Sequence, residues 1–357
     1  MWLKNTWYVA AFEHELAAGM VARRILDKTV IMFRTSAGVI GALDDACSHR
    51  LIPLSSGRRM GDTLQCAYHG MRFEASGQCV EIPGQTNIPA AARVRSYPCV
   101  ARYGYVWIWP GEPEVADEAL IPDLHWRDDK GWISADGYHH FDAHYGLVND
   151  NLLDLSHESY IHTRTIGNEE EESIAFYPAT VTVEDGCLVR SHREMPHIDP
   201  PPFFAAMMQH DGPIDRWQTA IHMVPSVNIT DAGSYPVGTE RRKAFVQHVL
   251  HLLTPETQGT THYFWSNMRN FRLGDDALTT KIRDAVTATF NEDKDIIEKQ
   301  QRQLAALNIA PPKVAIRLDE APLRARRLLE QCLAREAEDP RAIPAHAHTL
   351  LEDAFLQ

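Results

Sequence analysis

Residues 148–167 read V-N-D-N-L-L-D-L-S-H-E-S-Y-I-H-T-R-T-I-G. Leu147, Asn151, Asp154, Leu155 and Glu158 fall near one stripe at helical spacing, and Leu152, Leu153 and Tyr160 add apolar bulk, so a helix is expected over residues 147–161. The stretch holds two histidines, His157 and His162. Five residues turn a regular helix through about 500°, or about 140° past the start. Both rings can face one ion only if the helix is distorted or ends between them. Zinc peptidases use H-E-x-x-H, with the ligands four positions apart on one helix face, so this spacing of five argues against that chemistry. Taken alone, the pair also fits two surface histidines. Asp154 precedes His157 by three residues and shares its face. A carboxylate there is better placed to orient a ligand His than to bind the metal itself.

A second set of spacings lies upstream: Cys47-Ser48-His49 and, 16 residues later, Cys66-Ala67-Tyr68-His69. Each runs into a turn, and Gly70 lets the backbone approach a bound group closely. Two tight loops, each offering one Cys and one His, can cap a pair of sulfide-bridged irons, whose neutral imidazoles raise the reduction potential. Structural zinc more often pairs Cys with Cys and His with His. Cys47, His49, Cys66 and His69 are therefore candidate ligands of a 2Fe-2S cluster. The plainer alternative is two structural cysteines and two unrelated histidines. Cys79, Cys99, Cys187 and Cys332 are scattered and read as small buried hydrophobes. Six cysteines in 357 residues are too few for a disulfide scaffold.

Around these motifs the chain changes texture. Residues 1–115 are expected to form an all-β domain. Segments 21–34, 39–44, 63–66 and 103–109 are rich in β-branched and aromatic residues, with turn signals such as Ala75-Ser76-Gly77 and Pro83-Gly84 between them. The Pro- and acid-rich segment 111–123 reads as a linker. Residues 116–357 are expected to form an α+β domain, an antiparallel sheet flanked by helices. Strands are expected at 132–145, 217–229, 244–253 and 260–268, a hairpin over 177–194 turning at Glu184-Asp185-Gly186, and helices at 276–307 and 320–335. The Pro-interrupted segment 196–215 reads as irregular, either a lid or a packed loop, with Phe203, Phe204, Met207 and Met208 as core. The acidic segment 167–173 reads as a solvated loop.

The formal net charge of −13 argues against a nucleic-acid partner. No apolar run approaches the roughly 20 residues of a membrane span. The N-terminus lacks the pattern of a secretory signal. The expectation is a cytoplasmic protein with no membrane partner. Without a G-x-G-x-x-G fingerprint, reducing equivalents must come from another protein.

The runs C-S-H-R-L-I-P-L-S-S-G and C-A-Y-H-G-M-R-F resemble the Rieske two-iron two-sulfur motif. D-N-L-L-D-L-S-H-E-S-Y-I-H resembles the mononuclear iron motif of Rieske non-heme iron oxygenases. The similarity is to the vanillate O-demethylase and dicamba monooxygenase type, and it extends from N-T-W-Y-V-A through I-W-P-G, L-T-P-E-T and F-N-E-D-K. The resemblance implies a helix-grip-like catalytic domain with Fe(2+) held by His157, His162 and a carboxylate that matches Asp293. On residues alone, Asp295 and Asp284 compete for that role. Two His and one carboxylate on one face leave positions open for O2 and substrate.

The resemblance further implies that Asp154 is a catalytic bridge, joining His69 of one subunit to His157 of another in a homotrimer. It places Asn151 near the iron and makes His251 a candidate for binding a substrate carboxylate or phenol, against an ordinary strand histidine. The implied protein is the oxygenase component of a monooxygenase. It would use O2 and electrons from a separate NAD(P)H-dependent flavin and iron–sulfur reductase to hydroxylate or O-demethylate a small methoxy- or carboxy-substituted aromatic. Ring hydroxylation or dihydroxylation with the same metals is the alternative, and formaldehyde release separates the two. A ferredoxin would need only the first domain. Arg50, Arg58, Arg59 and Arg72 are candidates for reductase docking and equally for ordinary surface or trimer-contact charges.

Overall fold

The computed structural model describes residues 2–163, 166–167, 173–307 and 314–341; the acidic stretch 168–172 lies outside them. Two compact units form. The first comprises residues 2–121 with 254–257 and 336–341, and the second 122–253 with 258–307 and 314–335. The first unit thus runs past the expected boundary at 115 and takes in a short distant segment. There the Leu26 and Asp27 N–H groups donate to the carbonyls of Pro255 and Glu256 at 2.9 Å each, and the Thr254 hydroxyl donates to the Val9 carbonyl at 2.6 Å.

The first unit is built of β1 (Tyr8–Phe12), β2 (Met20–Ile25), β3 (Lys28–Arg34), β4 (Ile40–Asp44), β5 (Arg58–Met60), β6 (Thr63–Gln65), β7 (Arg72–Glu74), β8 (Cys79–Glu81), β9 (Cys99–Arg102) and β10 (Tyr105–Ile108). They form sheets in the orders β1-β10-β9, β2-β3-β4 and β5-β6-β7-β8. Strand β3 shows why these sheets share their burial. Val30 and Met32 enter a core with Tyr8 and Val106, while Ile31 and Phe33 enter another with Leu43, Phe73 and the two motif cysteines. The single strand expected over 21–34 is a hairpin. Leu26 and Asp27 turn it with φ of 48° and 63°, the geometry a two-residue hairpin demands, but without the glycine that normally announces it.

The second unit is built of β11 (Ile133–Phe141), α1 (Tyr145–Leu153), α2 (Glu158–Ile161), β12 (Ala179–Glu184), β13 (Leu188–Ile198), α3 (Pro202–Met208), β14 (Ile214–Met223), β15 (Val227–Pro236), β16 (Phe245–Pro255), β17 (Thr261–Arg269), α4 (Asp276–Leu307) and α5 (Glu320–Glu338). Its sheet has seven strands in the order β11-β17-β16-β15-β14-β13-β12. Two expectations are corrected. The strand at 217–229 is two strands, folded back at Val224-Pro225-Ser226. The segment 196–215 is not irregular: β13 continues to Ile198, and α3 starts with Pro202 in its first turn, where the missing N–H costs nothing.

Helix α4 lies on the sheet through Leu278, Ile282, Val286, Phe290 and Ile297, which pack with Phe141, Tyr263 and Trp265. That packing presents the middle of α4, from Thr289 to Asp293, to the inner face of the sheet. No described helix is long and apolar enough to cross a membrane.

The opposite face has its own tight point. A Cβ added at Gly233 on β15 would lie 1.9–2.0 Å from the Trp217 ring. Trp217 cannot swing aside, because its Nε1 donates to Asp231 at 2.8 Å and Arg241 stacks on it at 4.2 Å. Gly233→Ala is expected to destabilise the protein by about 1–3 kcal/mol through overpacking, read as a lowered thermal midpoint with the secondary-structure signal unchanged at 20 °C.

Candidate active site

Two loops of the first unit repeat one hydrogen-bond pattern. The Cys47 N–H donates to the Ile52 carbonyl and the Leu51 N–H to the Cys47 carbonyl, both at 2.9 Å; the Cys66 N–H donates to Met71 at 2.8 Å and the Gly70 N–H to Cys66 at 3.1 Å. The fourth residue after each cysteine has positive φ, 57° at Leu51 and 75° at Gly70. At Gly70 a Cβ would also meet Pro83 at 2.9 Å, so conformation and space both call for glycine. These loops bury Cys47 and Cys66 and leave His49 and His69 at the exposed rim, their Nδ1 atoms 3.2 Å apart. Burial pushes the Cys47 thiol up, and the Cys66 sulfur beside it adds to the effect. Two adjacent thiolates here need cations to stabilise them. Two buried sulfurs with two facing imidazole nitrogens fit a sulfide-bridged iron pair.

In the second unit α1 stops at Leu153 because Asp154 leaves helical space, at φ −112° and ψ 89°. Its carboxylate accepts the Ser156 N–H at 3.0 Å and caps a short 3-10 turn, Leu155–His157. One turn of α2 follows, and His162 stands just past its end at φ −102° and ψ 29°. The two departures from a regular helix bring the His157 and His162 rings within 5.2 Å, centroid to centroid.

Helix α4 supplies the third group. Asp293 Oδ1 lies 3.3 Å from His157 Nε2 and 3.2 Å from His162 Nε2, and one donor atom from each of the three lies within 4.8 Å of the others. The competing carboxylates are elsewhere: Asp284 and Asp295 are exposed, and Asp295 pairs with Lys299. The other ring nitrogens are occupied, His157 Nδ1 by the Asp154 carbonyl at 2.6 Å and His162 Nδ1 by Glu292 at 2.8 Å. Nδ1–H donation to these oxygens fixes both rings with their Nε2 atoms toward Asp293.

Burial alone would push both histidines down. Asp293 outweighs it and holds them up, His162 at about 9. Burial likewise pushes Asp293 up, but hydrogen bonds from the two rings and their charge hold it below the usual carboxylate range. A buried N2O donor set whose carboxylate already attracts positive charge fits a ferrous ion.

The remaining candidates fall out differently. Asn151 donates to Asp293 Oδ1 at 3.0 Å, so it positions the carboxylate as well as lining the cavity. Asp154 does not line that cavity; it sits in a separate recess with Tyr177, Arg193 and Arg317. Within the chain it is the Asp154 carbonyl, rather than the carboxylate as expected, that orients His157. His251 lines the cavity, but its Nδ1 meets the Tyr263 hydroxyl at 2.6 Å and its Nε2 meets Thr230 at 3.1 Å. Burial pushes its pKa down to about 3. Glu292 was not anticipated; the signal available was a second carboxylate directly beside Asp293. Glu292→Ala is expected to weaken mononuclear iron binding by about 10- to 100-fold, measured by competition with a chelator, with the cluster spectrum unchanged.

The cavity in front of the triad holds about 90 Å³ of space open to a water-sized sphere. Its walls include Phe290, Val249, Phe203 and Phe204; Phe204, Met207 and Met208 are buried in apolar clusters as expected and Phe203 packs against one of them, so the two phenylalanines serve core and cavity at once. The inner faces of β14 to β17 are polar here, through Arg216, Gln218, Thr230, Gln247 and Asn267. None of these was singled out from the sequence.

Comparison with known proteins matches residues 6–98 to the Rieske 2Fe-2S domain and residues 141–335 to the vanillate O-demethylase oxygenase C-terminal domain. The toluene-4-sulfonate monooxygenase system iron-sulfur subunit of Comamonas testosteroni is 37% identical over 343 residues, 94% of this chain and 98% of that protein. The vanillate O-demethylase oxygenase subunit of Pseudomonas sp. (strain HR199) is 35% identical over 358 residues, 95% and 97% of the two chains. The crystal structure of dicamba monooxygenase bound to 3,6-dichlorosalicylic acid matches with a TM-score of 0.88 at 34% identity, covering 94% of this chain and 99% of that one. The same enzyme solved with non-heme iron and dicamba matches at 0.81.

Proposed function

Because the chain belongs to the Rieske non-heme iron oxygenase components of the vanillate O-demethylase type, we propose that it inserts one oxygen atom from O2 into a C–H bond of a small methoxy- or acid-substituted aromatic. The protein is the oxygenase component of a Rieske monooxygenase, with a 2Fe-2S cluster, a mononuclear iron and a separate reductase. The observation that carries the substrate reading is the convergence of His157, His162 and Asp293 on a cavity walled by the aromatic rings of Phe203, Phe204 and Phe290.

In this reading Cys47, His49, Cys66 and His69 hold the cluster, and His157, His162 and Asp293 hold the iron. When bound, the cluster supplies single electrons and the iron supplies dioxygen activation. The chain does the rest. Asn151 and Glu292 keep the ligands in place. Phe204 and Phe290 wall the cavity against water and offer faces to a substrate ring. His251, both nitrogens pinned by Tyr263 and Thr230, lines the wall as an uncharged ring. Hydroxylation of a methoxy carbon gives a hemiacetal that collapses to formaldehyde and a phenol.

The active assembly is proposed to be a homotrimer in which Asp154 joins His157 to His69 of a neighbouring copy, with an NAD(P)H-dependent reductase as donor. Arg50, Arg58 and Arg59 are exposed and available for its docking, whereas Arg72 is engaged by Glu81 at 2.8 Å. An aerobic screen of methoxy-, carboxy- and sulfo-aromatics with a surrogate reductase tests the reading. Formaldehyde or a monohydroxylated product is expected from at least one class. No product from any aromatic, with both metal sites loaded, would sink it.

A further inference from the structure

We propose that Arg216, on the inner face of β14, receives an anionic group of the substrate, a carboxylate or sulfonate carried by the aromatic ring. This deepens, and rests on, the reading of the cavity as the substrate site.

Arg216 is 1% exposed and lines the cavity. Its guanidinium stacks on Phe204 at 4.3 Å. Among the described residues only Nη2 approaches a partner, Glu158 Oε2, at 3.4 Å, while Nε and Nη1 have none. A buried Arg–carboxylate pair that serves structure alone makes short contacts, often two in parallel. Here Gln218 holds the other oxygen of Glu158 at 2.5 Å, and most of the guanidinium donors remain unspent. Buried donors without acceptors are costly, and an anionic group entering the cavity that Arg216 lines would supply an acceptor.

Among the described lining residues Arg216 is the only Arg or Lys. His251 is not a substitute, because both its nitrogens already have protein partners. An acid group held at Arg216 fixes the ring in the cavity. Which carbon meets the triad then depends on where the oxidised substituent sits relative to the acid.

The test is calorimetric binding to the metal-loaded protein, without reductase. 4-Methoxybenzoate is compared with its methyl ester, and 4-methylbenzenesulfonate with the corresponding methyl sulfone. The wild type is expected to prefer each anion over its neutral counterpart by about 10- to 100-fold, and the two acid arms tell carboxylate from sulfonate. Arg216→Met is expected to lose the preference while keeping affinity for the neutral compounds within about threefold. Because that change strands Glu158, the double variant Arg216→Met/Glu158→Gln removes both charges and guards against misfolding. Arg216→Lys, which keeps the charge without the planar fork, is expected to retain part of the preference.

Equal wild-type binding of anion and neutral counterpart overturns the proposal. So does a variant that loses thermal stability but keeps the anion preference, since that identifies a structural ion pair only. Product formed only from neutral aromatics would refute Arg216 as an anion site and leave the monooxygenase reading standing. Anion binding without any turnover would do the reverse.

Discussion

Asp293→Ala is expected to retain the visible spectrum of the two-iron cluster, lose the mononuclear iron and reduce turnover to background. The carboxylate is buried in the middle of α4 and touches both Nε2 atoms of the histidine pair. Without it a divalent cation keeps only the two nitrogen ligands of His157 and His162. Losing a group that merely supports a ligand costs about 10- to 100-fold in metal affinity; losing a ligand costs more. Alanine is the best helix former, and α4 is anchored on either side by Val286, Phe290 and Ile297, so the fold survives. Elemental analysis beside the cluster absorbance separates the two irons. Wild-type iron content with turnover within a few-fold of normal would remove Asp293 from the centre.

Asp154→Asn tests the second proposal under a condition the structure makes clean. The expected result is full loading of both metal sites and turnover lowered by about 10- to 100-fold. Asparagine still caps the 3-10 turn by accepting the Ser156 N–H. The backbone carbonyl that holds His157 Nδ1 at 2.6 Å is untouched. Only the negative charge is lost. If Asp154 were no more than a helix cap, the variant would behave as wild type. If the charge couples the iron histidine to His69 of a neighbouring copy, rapid-mixing measurement of cluster reoxidation will show the slow step, with oxygen and substrate saturating. Normal reoxidation would leave Asp154 a structural residue.

Much of the protein was legible before folding. A metal site needs particular side chains at short, local spacings, so C-x-H, C-x2-H and the H-x4-H that no regular helix can serve pointed to the centres directly. The 3.6 period placed α4, which buries one face, and runs of β-branched and aromatic residues placed most strands of the second unit. The hairpin at Leu26-Asp27 and helix α3 were hidden for local reasons: non-glycine residues take left-handed φ in one, and prolines mask a helix start in the other.

The ligand spacings, the acidic charge and the change from all-β to α+β texture are properties of neighbours in the chain, and the amino-acid order alone determined them. Tertiary structure decided the rest: Asp293 over Asp284 and Asp295, Glu292 behind His162, and Arg216, Gln218 and Thr230 as cavity wall. Strands β14 to β17 of the seven-stranded sheet are buried on both faces, so alternation no longer says which side chains look toward α4. A register shift of one residue would send Arg216 to the opposite face and Trp217 into the cavity, and only the packed sheet settles that choice.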